Sequence, residues 1–190
     1  MKKLFLVFGA LTLCLLARGQ SVDLTQILGP NNSFNDPAFG VSLTYPAGWE
    51  VLGGARWGKN NGENTFQFRA LWPSQTRPSL YYQRFSADNP RPTDFEGYFR
   101  KLAQSKAASR AKSGGDYQNV PESFVFKTIA GCPSFSYLAT FASGGMKMAE
   151  YFVRVVGEKS YVMFFTVGSR EEIDAIRPDL DRMVETVRVQ

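Results

Sequence analysis

Histidine is absent from the 190-residue chain. No other side chain titrates near neutral pH without a large environmental shift, so Ser-His and Cys-His nucleophile pairs and zinc sites built on imidazole are excluded. Cysteine is nearly absent as well. Of the two present, Cys14 lies in the N-terminal apolar run, which leaves Cys132 without an intramolecular disulfide partner. A remainder of roughly 170 residues needs no covalent staple, because a domain of that size buries a sizeable core. Phosphate-cradling patterns are also missing: Gly53-Gly54, Gly114-Gly115 and Gly144-Gly145 occur outside any G-x-x-x-x-G-K-[ST] or G-x-G-x-x-G context and read as turns. No apolar run reaches the length of about 20 residues that a membrane-spanning helix needs.

The longest apolar run, Leu4 to Ala17, follows Met1-Lys2-Lys3 and ends on Ala17-x-Gly19. A basic start, a short apolar core and a small-x-small ending predict a cleavable signal peptide over residues 1–19, with cleavage near Gly19/Gln20. Leu13 in front of Cys14 argues against a lipid anchor, so a released periplasmic or secreted protein is expected. The chain has 22 basic and 17 acidic residues, but Lys2, Lys3 and Arg18 belong to the leader, so the mature part carries only +2. A balance so close to neutral gives no global field for nucleic acid.

After the leader, "SVDLTQILGPNNSFNDP" is polar and turn-rich and reads as a flexible segment over residues 20–37, with a short turn near Asp23 to Leu28. The folded domain is expected over residues 38–190. In "FGVSLTYPAGWEV", Val41, Leu43 and Tyr45 alternate with Ser42 and Thr44, and Pro46 with Gly48 forms a turn into Trp49 and Val51. This predicts a hairpin at the start of a sheet. Further strands are expected at Thr65–Trp72, Ser79–Phe85, Ser123–Ile129, Cys132–Ala142, Met146–Val156 and Ser160–Val167. The last three are joined by short glycine-containing links that favour antiparallel pairing.

Thr93-Asp94-Phe95-Glu96 has capping-box spacing and predicts a helix to about Lys112, stopped by Gly114-Gly115. Ser169-Arg170-Glu171-Glu172 repeats the box before a second helix. At about 100° per residue, Ile173, Ile176, Leu180, Met183, Val184 and Val187 of that helix form one apolar stripe, and Pro178 is a potential kink. The fold class is therefore α+β, a central, mainly antiparallel β-sheet covered by helices in an α/β/α sandwich.

No candidate for chemistry survives. Cys132 in "AGCPSF" lacks a base and reads as a small buried hydrophobe. Ser109 and Lys112 have Ser-x-x-Lys spacing, but on a polar helix end with no companion motif. Glu171/Glu172 and Asp179/Asp181 are too close in sequence to converge from a helix. No catalytic, cofactor or metal residue is assigned. The middle helix carries Arg100, Lys101, Lys106, Arg110 and Lys112, with Arg91 just before it. These charges form no single stripe that could track a phosphate backbone. Arg100, Lys101 and Arg110 are kept as the candidate surface for a protein partner.

"DPAFGVSLTYPAGWEV", "TIAGCPSFSY", "EYFVRVVGEKSYVMFFTV" and "RPDLDRMVETVRV" resemble, in that order, segments of the PsbP-like family and bacterial relatives such as DcrB, over Asp36 to Val189. The resemblance implies a central antiparallel sheet between helices and a non-catalytic extracytoplasmic or lumenal domain. Such a domain would assemble or stabilise larger complexes with another envelope protein. Metal contacts of plant members involve histidines, so none is carried over. The leader does not resemble a plastid transit peptide, and no photosynthetic role is implied. Two other expectations stand beside this one: a module holding a small apolar ligand near Trp49, Trp57 or Trp72, and a hydrolase, which the missing histidine disfavours.

Overall fold

The computed structural model describes residues 20–57, 63–70, 76–112 and 116–190. The expected leader, Trp72, the side chain of Trp57 and the Gly114-Gly115 helix stop lie outside the described residues. In chain order the strands are β1 (Gln20–Ser21), β2 (Leu28–Gly29), β3 (Ser33–Asp36), β4 (Val41–Thr44), β5 (Glu50–Trp57), β6 (Glu63–Arg69) and β7 (Ser79–Arg84). Helix α1 (Phe95–Lys112) follows, then β8 (Gln118–Asn119), β9 (Val125–Ile129), β10 (Cys132–Ser143), β11 (Met146–Val156) and β12 (Ser160–Gly168). Helix α2 (Arg170–Glu185) and β13 (Arg188–Val189) close the chain.

The main sheet runs β1-β5-β6-β7-β12-β11-β10, with β8 and β9 both on the outer edge of β10. Every described pairing in it is antiparallel. Alternation along β11 shows why two helices are needed. Tyr151, Val153 and Val155 join a core under α2, whereas Phe152 and Val156 join a second core under α1. The α2 stripe is buried as the periodicity requires: Ile173 and Leu180 have no exposed surface, and Val187, expected on the stripe, lies just past the helix end at Glu185 and is equally buried. Ser169 and Glu172 close a reciprocal capping box. Pro178 does not divide α2: it is exposed, as is Asp174, whose carbonyl it leaves without an intrahelical donor and which water can reach.

Three expectations are corrected. Segment 20–37 is not a flexible tether. Ile27 and Phe34 are buried in the α2-side core, and the Phe34 ring meets Phe66 edge-on at 5.0 Å. Burying a ring of this kind contributes about 1.5–3 kcal/mol, and the β1–β5 and β3–β4 pairings and the Tyr82–Asp36 hydrogen bond hold the segment with it. The folded part therefore includes residues 20–37 and is not confined to 38–190.

The Pro46–Gly48 turn forms, with Trp49 N–H donating to Pro46 O at 3.1 Å and Gly48 at φ 81°. It does not make a hairpin. β4 lies in a second, four-stranded sheet, order β13-β4-β3-β2, while β5 pairs with β1 and β6. Both edges of β4 are taken by β3 and β13, so the chain changes sheets at the turn.

The first helix is capped by Asp94 and not by Thr93. Asp94 Oδ1 accepts from Gly97 N–H at 3.0 Å. Glu96 cannot reach back, because its carboxylate accepts from Arg100 Nε and Nη2 at 3.0 and 2.7 Å.

Candidate functional site

β10 shares its outer edge between two short partners, β9 at Cys132–Ser136 and β8 at Ala139–Thr140. Between them Ser123 takes the place of a strand. Its Oγ accepts from Leu138 N–H at 2.8 Å, and Val120 N–H donates to Leu138 O at 2.9 Å. The backbone of Leu138 thus faces this edge, and by alternation so do those of Ser136 and Ser134. Their register partners, Val125 and Lys127, use their own backbone groups on β10, and Ser134 Oγ adds a bond to Lys127 O at 2.8 Å. Phe126 and Thr128 consequently point their N–H and C=O outward. Among the described residues β9 has no further strand partner.

The two flanks of this edge differ. On the α1 side the Phe126 ring packs 5.1 Å from Phe135, and the Arg100 guanidinium lies 5.1 Å from the Phe126 ring centre. Next to it Arg100, Gln104, Asn119, Pro121 and Phe124 line a groove of about 260 Å³. On the α2 side lie Val125 and Lys127, the latter 3.4 Å from Glu185. Val125 and Phe126 remain 40% and 37% exposed, one on each face of the strand.

Of the three residues expected to form a partner surface, only Arg100 reaches this edge. Lys101 is exposed, but it is turned about 100° further round the helix, and Arg110, also exposed, is about 180° from Lys101. The helical repeat disperses them, so Arg100, Lys101 and Arg110 do not form one patch.

The sequence reading missed the buried charges. Glu150, 3% exposed, pairs with Lys106 of α1. Asp36, 1% exposed, receives Arg56 Nη2 at 2.7 Å and Tyr82 O–H at 2.6 Å. Arg154 lies between the rings of Tyr98 and Tyr161. A signal was present, since Glu150 and Arg154 interrupt the apolar run from Met148 to Val156 at positions sharing the parity of Phe152. Each buried carboxylate is matched by one cation, and burial pushes the Tyr82 phenol well above its ordinary value.

Cys132 is half-buried rather than fully buried, with Sγ 3.6 Å from Val189 O, and burial raises its thiol pKa. Asp179 pairs with Arg182, while Asp181 accepts from Tyr151 O–H at 2.5 Å, so this pair diverges as expected. Ser109 and Lys112 are exposed at the end of α1. Among the described residues no group of three His, Cys, Asp or Glu could hold a metal, and no helix is long and apolar enough to cross a membrane. Trp49 packs into the core. Another cleft, about 330 Å³, is lined by Asn35, Pro37, Gly40, Ser42 and Arg188 among others, and by no tryptophan among the described residues.

Comparison with solved structures places this architecture. The solution structure of cyanobacterial PsbP from Synechocystis superposes with a TM-score of 0.59, at 14% identity, over 85% of this chain and 95% of that one. The fold is PsbP-like. A protein of unknown function from Pseudomonas aeruginosa matches this PsbP-like chain with a TM-score of 0.50 and 12% identity, covering 91% of it and 98% of the other. A Bacteroides thetaiotaomicron structure also gives 0.50, at 10% identity, where the match covers 85% of this chain and 49% of that one. No protein-family model matches the sequence, and no curated protein is significantly similar to it.

Proposed function

We propose that this PsbP-like chain is a non-catalytic extracytoplasmic domain that binds another envelope protein and thereby assembles or stabilises a complex. One observation carries the reading: at the outer edge of β9, outward backbone groups, an exposed phenylalanine and an arginine-flanked groove lie together. Aromatic residues and arginine are enriched at the anchoring centres of protein interfaces, because they bury large areas at low entropic cost. The likeness to PsbP supports the reading only through the fold. The signal-peptide pattern supports an extracytoplasmic location.

The test is affinity purification of the tagged protein from the envelope fraction of its source cells. One partner is expected to co-purify in stoichiometric amount, and Arg100→Glu is expected to lose it while the far-UV circular dichroism stays unchanged. The exported chain is expected to begin near Gln20. Absence of any partner, together with turnover of an ester or glycoside panel that a single substitution abolishes, overturns the reading. Retention of Met1 or a diacylglycerol on Cys14 overturns the released location.

A further inference from the structure

We infer that the cleft on the outer face of the four-stranded sheet binds a small carboxylate, with Arg188 as its anchor. The inference is independent of the protein-binding reading above. Strand pairing builds the site: Arg188 of β13 and Asn35 of β3 both stand opposite Ser42 of β4, so the three side chains form one row across three strands. Phe34, Asp36, Val41 and Leu43 alternate with them and are buried, which puts the row on the outer face. Gln190 joins it, since its side chain lies over Gly40, where an added Cβ would come within 2.9 Å of Oε1. With Ala130 at the rim, these residues line the cleft of about 330 Å³, a volume in the range of small-molecule sites.

The lining is polar and contains no acid. Arg188 donates through Nη1 to the carbonyls of Val187 and Glu185 at 3.0 and 3.4 Å, and none of the ion pairs among the described residues includes it. Those acceptors are neutral, so they orient the guanidinium and leave its charge unmatched. They also leave the Nε–Nη2 edge open, the edge that meets a carboxylate through two parallel hydrogen bonds. Among the described residues no protein group takes the side chains of Asn35, Ser42 or Gln190, which add two carboxamides and a hydroxyl. The acids nearby are engaged elsewhere: Asp36 faces inward onto Arg56 and Tyr82, and Glu185 meets Lys127 at 3.4 Å. Ser160 N–H and Oγ hold the main-chain oxygen of Gln190 at 2.9 and 3.0 Å. Cys132, with Sγ against Val189 O, lies in the field of Arg91 and Arg188 as well as Glu158, two cations against one acid. A single unmatched guanidinium suits a monoanion, whereas a phosphate dianion would keep one charge without a partner. The carboxylate belongs either to a free organic acid or to the end of a peptide, and the experiment separates the two.

The test is a magnetic-resonance titration of the isotope-labelled full chain with N-acetylalanine, N-acetylalaninamide, inorganic phosphate and acetyl-trialanine with a free carboxylate. N-acetylalanine is expected to produce saturable shifts, with a Kd in the millimolar range, at Ser42 N–H and at the side-chain amides of Asn35 and Gln190. The amide keeps the shape and loses the charge, and it is expected to bind at least tenfold more weakly, as is phosphate. A tripeptide that binds no tighter than N-acetylalanine assigns the site to a free acid, and one that binds at least tenfold tighter assigns it to a peptide end. Arg188→Lys keeps the charge without the fork and is expected to weaken N-acetylalanine binding at least fivefold. Arg188→Gln is expected to weaken it at least tenfold with the circular dichroism spectrum unchanged. If that variant fails to fold, the comparison of acid with amide decides, together with Ser42→Ala, which is expected to weaken binding at least threefold. Lack of a saturable shift in the millimolar range, equal responses to the acid and its amide, or wild-type affinity in a folded Arg188→Gln variant overturns the inference. Phosphate binding as tightly as the acid does so too, because the cleft would then hold an adventitious ion only.

Discussion

The guanidinium carbon of Arg154 lies 3.6 Å from the ring centre of Tyr161 and 5.2 Å from that of Tyr98, and none of the ion pairs among the described residues includes it. All 17 acidic residues are among those described, so this nearly buried cation is compensated by ring faces rather than by a carboxylate. Its Nε has no hydrogen-bond partner. Desolvation of a buried charge often exceeds what its partners return. Arg154→Met, which keeps the length and removes the charge, is therefore expected to leave stability unchanged or raise it by about 1–4 kcal/mol. Tyr161→Leu removes a cation–π face worth about 2 kcal/mol when desolvated, and is expected to destabilise by at least that much. Urea unfolding of both variants checks the pair, and a large loss for Arg154→Met goes against it.

Gly54 faces Phe66 across the β5–β6 pairing, and a Cβ on it would meet the Phe66 ring at 2.2 Å. Phe66 is fully buried and stacked on Tyr82, so it has nowhere to move. Gly54→Ala is expected to cost about 1–3 kcal/mol through overpacking. A thermal melt indistinguishable from wild type would show that the sheet yields there.

Leu180 of α2 has no exposed surface and packs in the core with Ile176 and Met183. Leu180→Ala is expected to cost about 2–5 kcal/mol in lost burial and cavity. Arg100→Glu and Lys101→Glu, at exposed positions, are each expected to shift stability by about 0.5 kcal/mol or less. Equal effects on chemical denaturation would contradict this division between core and surface.

Cys132 should react slowly with thiol reagents in the native state, because burial raises its pKa and leaves little thiolate. The rate should rise sharply once denaturant opens the β10 edge. Fast labelling of the native protein would show that the Val189 contact does not shield Sγ.

Burial pushes the phenols of Tyr137 and Tyr151 up to about 12. The unfolded chain ionises them near their ordinary value of 10, so the folded state holds more protons between the two values. Their contribution is complete below about pH 10 and declines as pH rises toward 12, by about 1.4 kcal/mol per pH unit per phenol. Urea midpoints should decline gently above about pH 9, where the Cys132 thiol begins to ionise in the unfolded chain, and fall steeply above 10. Tyr137→Phe should reduce the slope, and an unchanged slope would exclude its phenol as a source.

Much of the fold is legible locally because its causes are local. The strands from Cys132 to Gly168 follow one another through links of two or three residues, which leave antiparallel pairing with the next strand as the short route. The α2 stripe and the Ser169–Glu172 box depend only on helical spacing, and the structure reproduces both. The absence of histidine likewise excludes whole classes of chemistry at any fold.

Tertiary structure decides what depends on partners distant in the chain. β4 reads as half of a hairpin, yet it takes β13 from the far end of the chain as one neighbour, because pairing is set by which edges are free and not by proximity in sequence. Residues 20–37 look like a tether by composition, but a few anchors, chiefly Ile27, Phe34 and Asp36, bind them to the main sheet. Arg100 acquires meaning only when β9 places Phe126 beneath it, while Lys101 and Arg110 are turned away by the helical repeat. The open edge of β9 depends on where the other strands end, and no local pattern in the sequence records that.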